Sequence, residues 1–212
     1  MSKINIDSVR DSFKKTVSAS LSLTNDAQRF KEPRGMSNKY FILTKPKQYS
    51  VVELSFLRLY TSWEEFIEQA FVRYMCGATT STGYSPKRYV QPLNLRHAFN
   101  ICTQGRAYAD WMRLDEVIQK SKLYFEDGEP FKNALGSAAT ALDEMKTIRN
   151  RITHGSEHSN KEFRQVVMNR IGVSQKNMVP GRFLLIISTK NGLSLFEEYA
   201  NTLLAICDLV VH

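Results

Sequence analysis

Two arginines, an amide and an imidazole stand within six positions at Arg149-Asn150-Arg151-Ile152-Thr153-His154, and Gly155-Ser156 follow at once. An imidazole can accept or release a proton near neutral pH. A guanidinium presents paired N–H donors that match a phosphate or a carboxylate. Side by side, the two groups suit proton transfer next to a bound anion. No phosphate-cradling glycine loop, nucleophile elbow or metal-spaced acidic cluster appears along the chain, so neither a metal nor a cofactor is implied. Cations at a helix C-terminus also complement the helix dipole, so a purely structural role stands beside the chemical one.

The spacing predicts a helix that delivers these residues. Phe131, Leu135, Ala138, Leu142, Met145, Ile148 and Ile152 repeat at three and four, with Pro130 suited to the first turn and Gly155 to the position just past the end. At ~100° per residue Arg149 returns to the direction of Phe131, inside the apolar stripe, where a base needs a carboxylate, a phosphate or a partner chain. Glu64, Glu65 and Glu68 are candidate partners for it. His154 falls among the last carbonyls, whose partial negative charge favours an imidazolium. Asp143 and Glu144 are the nearby acids that could hold its ring. Arg149 and His154 point ~140° apart on an ideal helix, so a straight single helix cannot close both on one phosphate. Either the last turn unwinds before Gly155, or a second chain completes the site.

Elsewhere helical periodicity dominates. Ile6, Val9, Phe13, Val17 and Leu21 predict a first helix over 5–28, followed by a basic loop over 30–48 that includes Lys31, Arg34, Lys39, Lys45 and Lys47. Ser50 and Glu53 form a capping box that opens a long aromatic core helix ending at Gly77. Residues 78–92 read as loop, 93–103 as a short helix with His97 on its surface, and 114–125 as a further helix after Tyr108–Met112. Ser159 and Glu162 mark a second capping box for a helix to Gly172. Phe183–Thr189 has strand-like composition but no partner strand and is read as an extended segment. Asn191-Gly192 is a turn, and Ser194 with Glu197 caps a last helix through Phe196, Tyr199, Leu203, Cys207 and Val210. The expected class is all-α, a bundle of about six to seven helices. Residues 49–212 form its main domain, and 1–48 pack on as an extension of one globular unit.

Composition agrees with a globular chain: 42% hydrophobic and 24% charged residues over 212 positions. The 29 Lys and Arg exceed the 21 Asp and Glu, for a net +8, which favours polyanions and nucleic acid above all. Cys76, Cys102 and Cys207 are too scattered for a zinc site or a disulfide framework and suit a reducing compartment. No stretch reads as a signal peptide or a membrane span, so a cytoplasmic protein is expected.

The Arg149-Asn150 pair, three residues and then His154 at a helix end resembles the HEPN ribonuclease motif. Gly155-Ser156 with a new helix close behind, and the aromatic helix Ser55-Phe56-Leu57-Arg58-Leu59-Tyr60 through Trp63-Glu64-Glu65-Phe66, resemble that family as well. The resemblance spans about residues 50 to 211 and is strongest to stand-alone RiboL-PSP-type HEPN proteins of bacterial toxin and defence loci. It implies a metal-independent endoribonuclease acting as a toxin or antiviral effector. Arg149, Asn150 and His154 would be the catalytic residues, and two motifs would meet across a homodimer. RNA brings its own nucleophile, the 2′-hydroxyl, so His154 suits base or acid and Arg149 the charged phosphate. Asn150 would orient His154 or bind the phosphate. Arg151, Lys39, Lys45 and Lys47 are candidate RNA contacts, with single-stranded RNA or tRNA loops as targets. A neutralising or activating protein partner fits the same setting. One departure stands out: family toxins paired with a nucleotidyltransferase place a Tyr two residues after the His, and here Ser156 occupies that position. The competing expectation is a catalytically idle helical module for dimerisation or RNA binding.

Overall fold

Helices supply every extended regular element in the computed structural model, which describes residues 5–29, 43–106, 111, 113–173, 175 and 177–212. Nine helices occur among them: α1 (Asp7–Arg29), α2 (Lys45–Met75), α3 (Leu95–Thr103), α4 (Leu114–Tyr124), α5 (Phe131–Gly136), α6 (Ala139–Thr153), α7 (Glu157–Ile171), α8 (Pro180–Leu184) and α9 (Leu195–Val210). β-Structure among the described residues is limited to isolated bridges. The chain is all-α, and no described helix is long and apolar enough to cross a membrane.

The excess over six or seven helices has local causes. The predicted motif helix divides at Gly136-Ser137, where the Ala138 amide bonds to Leu135 O at 3.2 Å and the winding tightens. Glycine and serine are weak helix formers, and the Ser137 hydroxyl competes for the Ala134 carbonyl at 2.8 Å. Beyond the break, α6 buries Leu142, Met145 and Ile148. The expected extended segment is replaced at its start by α8, opened by Pro180; only Ile187 pairs, in a bridge to Ser194 across the turn at Gly192. The long helix α2 begins at Lys45, not at Ser50, because Pro46 fits a first turn without needing an N–H partner. Lys45 and Lys47 therefore lie in a helix, not a loop. Lys31, Arg34, Lys39, Tyr108 and Met112 lie outside the described residues.

Two compact units divide the chain: residues 1–15, 61–143 and 202–212 form unit 1, and residues 16–60 and 144–201 form unit 2. Unit 1 is centred on the second half of α2. The Phe71 ring meets Phe131 at 4.8 Å, Phe125 at 5.1 Å and Trp111 at 5.3 Å, and Phe13 stacks on Phe66 at 5.2 Å. Such offset and edge contacts add about 0.5–1.5 kcal/mol each beyond burial. The polar ends find partners: Tyr74 Oη donates to Val210 O at 2.8 Å, and Trp111 Nε1 to Glu68 Oε2 at 2.7 Å. Glu68 is thus engaged by an indole. Burial, opposed by that hydrogen bond, pushes its carboxyl above the usual range. Gly77 closes α2 at a φ of +81°, and the Arg88 guanidinium occupies the space where a side chain would stand, donating to Met75 O at 3.0 Å.

In unit 2 the Phe56 ring meets Phe196 at 6.1 Å and Tyr199 at 6.3 Å, and Phe163 meets Phe183 at 5.5 Å. Gly181 lies so close to α2 that a Cβ there would fall 2.2 Å from Tyr49 O. Its amide donates to Glu53 Oε1 at 2.9 Å, so Glu53 serves a distant backbone and not the expected cap of α2. The Ser194–Glu197 box does form. Glu197 N donates to Ser194 Oγ at 3.2 Å, and Ser194 N to Glu197 Oε2 at 2.8 Å.

Candidate active site

Arg149, Asn150 and His154 all lie at the end of α6, within unit 2. The helix stops at Thr153, one residue before His154, although the His154 amide still bonds to Asn150 O at 2.8 Å. Thr153 Oγ1 turns back to Arg149 O at 3.0 Å and satisfies one of the carbonyls that a helix end leaves open. Gly155 is not the left-handed terminator that its position suggested; its φ is not positive, and a Cβ there would meet nothing within 4 Å. The chain instead turns straight into α7. Ser156, not Ser159, is the N-cap, accepting from Ser159 N at 3.2 Å. The buried Ser159 hydroxyl donates to His154 O at 2.8 Å and so ties the first turn of α7 to the motif.

The side chains differ in exposure and partners. Arg149 is half-buried, and its Nη1 donates to Asn150 Oδ1 at 3.2 Å. Asn150 Oδ1 therefore holds the guanidinium, and among the described residues no hydrogen bond joins it to the His154 ring. Among the described residues the structure records no ion pair for Arg149, whose one side-chain hydrogen bond is to Asn150. His154 is exposed, and its ring has no hydrogen bond among the described residues. Arg151 Nη1 stands 3.5 Å from His154 O, and its Nε is buried without an acceptor.

Of the two candidate acids, Glu144 is engaged elsewhere. Asp143 is exposed. Glu144 belongs to a network that local spacing does not reveal: Oε2 accepts from Arg170 Nε at 2.8 Å, Arg170 Nη2 at 2.7 Å and Tyr199 Oη at 2.9 Å. Burial first, and then the neighbouring Glu144, push the Tyr199 hydroxyl far above an ordinary phenol, so it remains a donor. Arg170 also lies over the Tyr199 ring at 5.4 Å and reaches Glu198 at 3.6 Å. This cluster fixes α6, α7 and α9 of unit 2 together below the motif. No group of three or more His, Cys, Asp and Glu that could hold a metal ion occurs among the described residues.

Charge separates the two units. Among the described residues, unit 2 holds 12 Lys and Arg against 7 Asp and Glu, whereas unit 1 holds 12 against 12. Of those 12 cations in unit 2, Arg170 alone makes ion pairs among the described residues. Lys45, Lys47, Lys161 and Arg164 are exposed within this surplus.

Comparison with family models, with curated proteins and with solved structures found no match. The chemistry of the site therefore rests on its own residues. They are a guanidinium held by Asn150 with no ion pair among the described residues and, five residues on, an exposed imidazole, in the unit that carries the surplus positive charge.

Proposed function

We propose that this chain is a metal-independent endoribonuclease of the HEPN type, acting as a toxin or antiviral effector, with its chemistry at the end of α6. The observation that carries this reading is Arg149: half-buried, oriented by Asn150 and paired with no carboxylate among the described residues. Holding an unpaired guanidinium partly out of water costs free energy, and a phosphate oxygen is the partner that would offset it. His154, exposed five residues on, would take the 2′-hydroxyl proton as base. The surplus charge of unit 2 would draw single-stranded RNA or a tRNA loop to that side. A homodimer with two motifs in one cleft remains the proposed assembly, because His154 is still helically bonded to Asn150 and so points ~140° away from Arg149 around one helix.

The test is incubation of purified protein with labelled tRNA and mRNA in EDTA. Cleavage by the wild type, lost by about 10²–10⁴-fold in both His154→Ala and Arg149→Ala, is the expected result. A second reading, a catalytically idle RNA-binding or dimerisation module, is favoured by the His154 ring having no orienting partner among the described residues. RNA binding without cleavage by concentrated wild-type protein would select it.

A further inference from the structure

Cleavage through the 2′-hydroxyl needs two proton transfers, and the first turn of α7 carries a second imidazole. His158 lies four residues beyond His154, with its side chain 80% exposed, and its Nε2 stands 3.2 Å from Glu162 Oε1. The Ser159 hydroxyl, on the adjacent residue, is bonded to His154 O at 2.8 Å, which ties the first turn of α7, where His158 stands, to the backbone of the motif. A carboxylate on one ring nitrogen fixes the tautomer and leaves the other nitrogen for the proton that moves. In the His158–Glu162 pair that nitrogen is Nδ1.

We propose, on the footing of the ribonuclease reading, that His158 is the general acid of the same site and that Glu162 is its positioning residue. His154 takes the proton of the 2′-hydroxyl, and the 2′-oxygen bonds to phosphorus. The P–O5′ bond breaks, and the departing 5′-oxygen takes the Nδ1 proton of doubly protonated His158. The products are a 2′,3′-cyclic phosphate and a 5′-hydroxyl, with one proton gained by His154 and one lost by His158. Each chain then holds both proton-transfer groups, and a dimer, if formed, is not needed to supply the acid.

The experiment compares two oligoribonucleotides of one sequence, one ordinary and one with sulfur replacing the bridging 5′-oxygen at a single linkage. A thiolate leaves without a proton, so it bypasses the acid and not the base. His158→Ala is expected to slow the ordinary substrate by about 100-fold or more, yet to cleave the sulfur substrate within a few-fold of wild type. His154→Ala should be slow on both. Glu162→Gln should lower the ordinary rate less than His158→Ala, with the same rescue by sulfur. His158 is exposed, and circular dichroism of each variant confirms an intact fold. An unchanged ordinary rate in His158→Ala, or an equal loss on both substrates, overturns the assignment. A wild type that cleaves neither substrate overturns the ribonuclease reading, and the assignment with it.

Discussion

Unit 1 and unit 2 put the same kinds of residue to different uses. In unit 1 the aromatic side chains are concentrated around Phe71, charges balance, and polar ends such as Tyr74 Oη and Trp111 Nε1 are bonded inward. In unit 2 the aromatic pairs are sparser among the described residues, positive charge is in surplus, and a strong base and an imidazole are left without carboxylate partners. Where a chain satisfies its polar groups, it is stabilising itself. The half-buried guanidinium, left without an ion pair among the described residues, is where the proposed phosphate would bind. The contrast predicts that stability and activity respond to different substitutions.

The largest effect on stability is expected at the centre of unit 1. Phe71→Ala removes a fully buried ring and should cost about 3–5 kcal/mol in urea denaturation, while the folded fraction retains its rate of RNA cleavage. Equal damage to the specific activity of folded protein would erase the distinction between the units.

Two glycines of unit 2 sharpen it. Gly181→Ala forces a Cβ against the Tyr49 backbone and should destabilise by about 1–3 kcal/mol. Gly155→Ala meets open space and should shift the melting temperature little. A large loss of stability from Gly155→Ala would contradict the open corner between α6 and α7.

Alkali should act first through the buried thiols of unit 1, and then also through Tyr199 of unit 2. Burial pushes the Cys102 and Cys207 thiols from 9.0 up to about 12. The unfolded chain therefore loses these protons first, so folding stability falls as pH rises above about 9 and continues to fall towards 12. Cys102→Ala and Cys207→Ala should each flatten that decline in pH-dependent denaturation.

The smallest effect is expected from surface charge. Lys161→Glu and Arg164→Glu in unit 2 should weaken binding of single-stranded RNA and lower the slope of log affinity against log salt, by about 0.7 for each phosphate that is no longer neutralised. Lys120→Glu and Lys122→Glu in unit 1 should leave the slope unchanged. The same change from both pairs would mean that the charge difference between the units does not direct binding.

Much of the helix order is readable from periodicity because it is local. Ser194 and Glu197 cap α9 as their spacing predicts, since both partners lie in one turn. Ser50 and Glu53 have the same spacing and do not cap, because Lys45-Pro46 starts the helix earlier and Glu53 meets Gly181, 128 residues away. The break at Gly136-Ser137 shows in the sequence only as a run of small residues, and it invalidates an angular count carried from Phe131 to Arg149. Arg149, Asn150 and His154 are recognisable by type and spacing, but their partners are not. Glu144 is bound by Arg170 and Tyr199, 26 and 55 residues away, so no helical phase could have removed it from the candidate acids for His154. The His158–Glu162 pair, in contrast, is an i,i+4 contact that spacing alone could have indicated.

The central claim is that the end of α6 cleaves RNA by attack of the 2′-hydroxyl. Mass spectrometry of the fragment ends, from wild-type protein and a defined oligoribonucleotide in EDTA, tests it most directly. Fragments ending in 2′,3′-cyclic phosphate, paired with 5′-hydroxyl fragments and absent with His154→Ala, are predicted. Fragments ending in 3′-hydroxyl, or the same ends produced by His154→Ala at the wild-type rate, would contradict it.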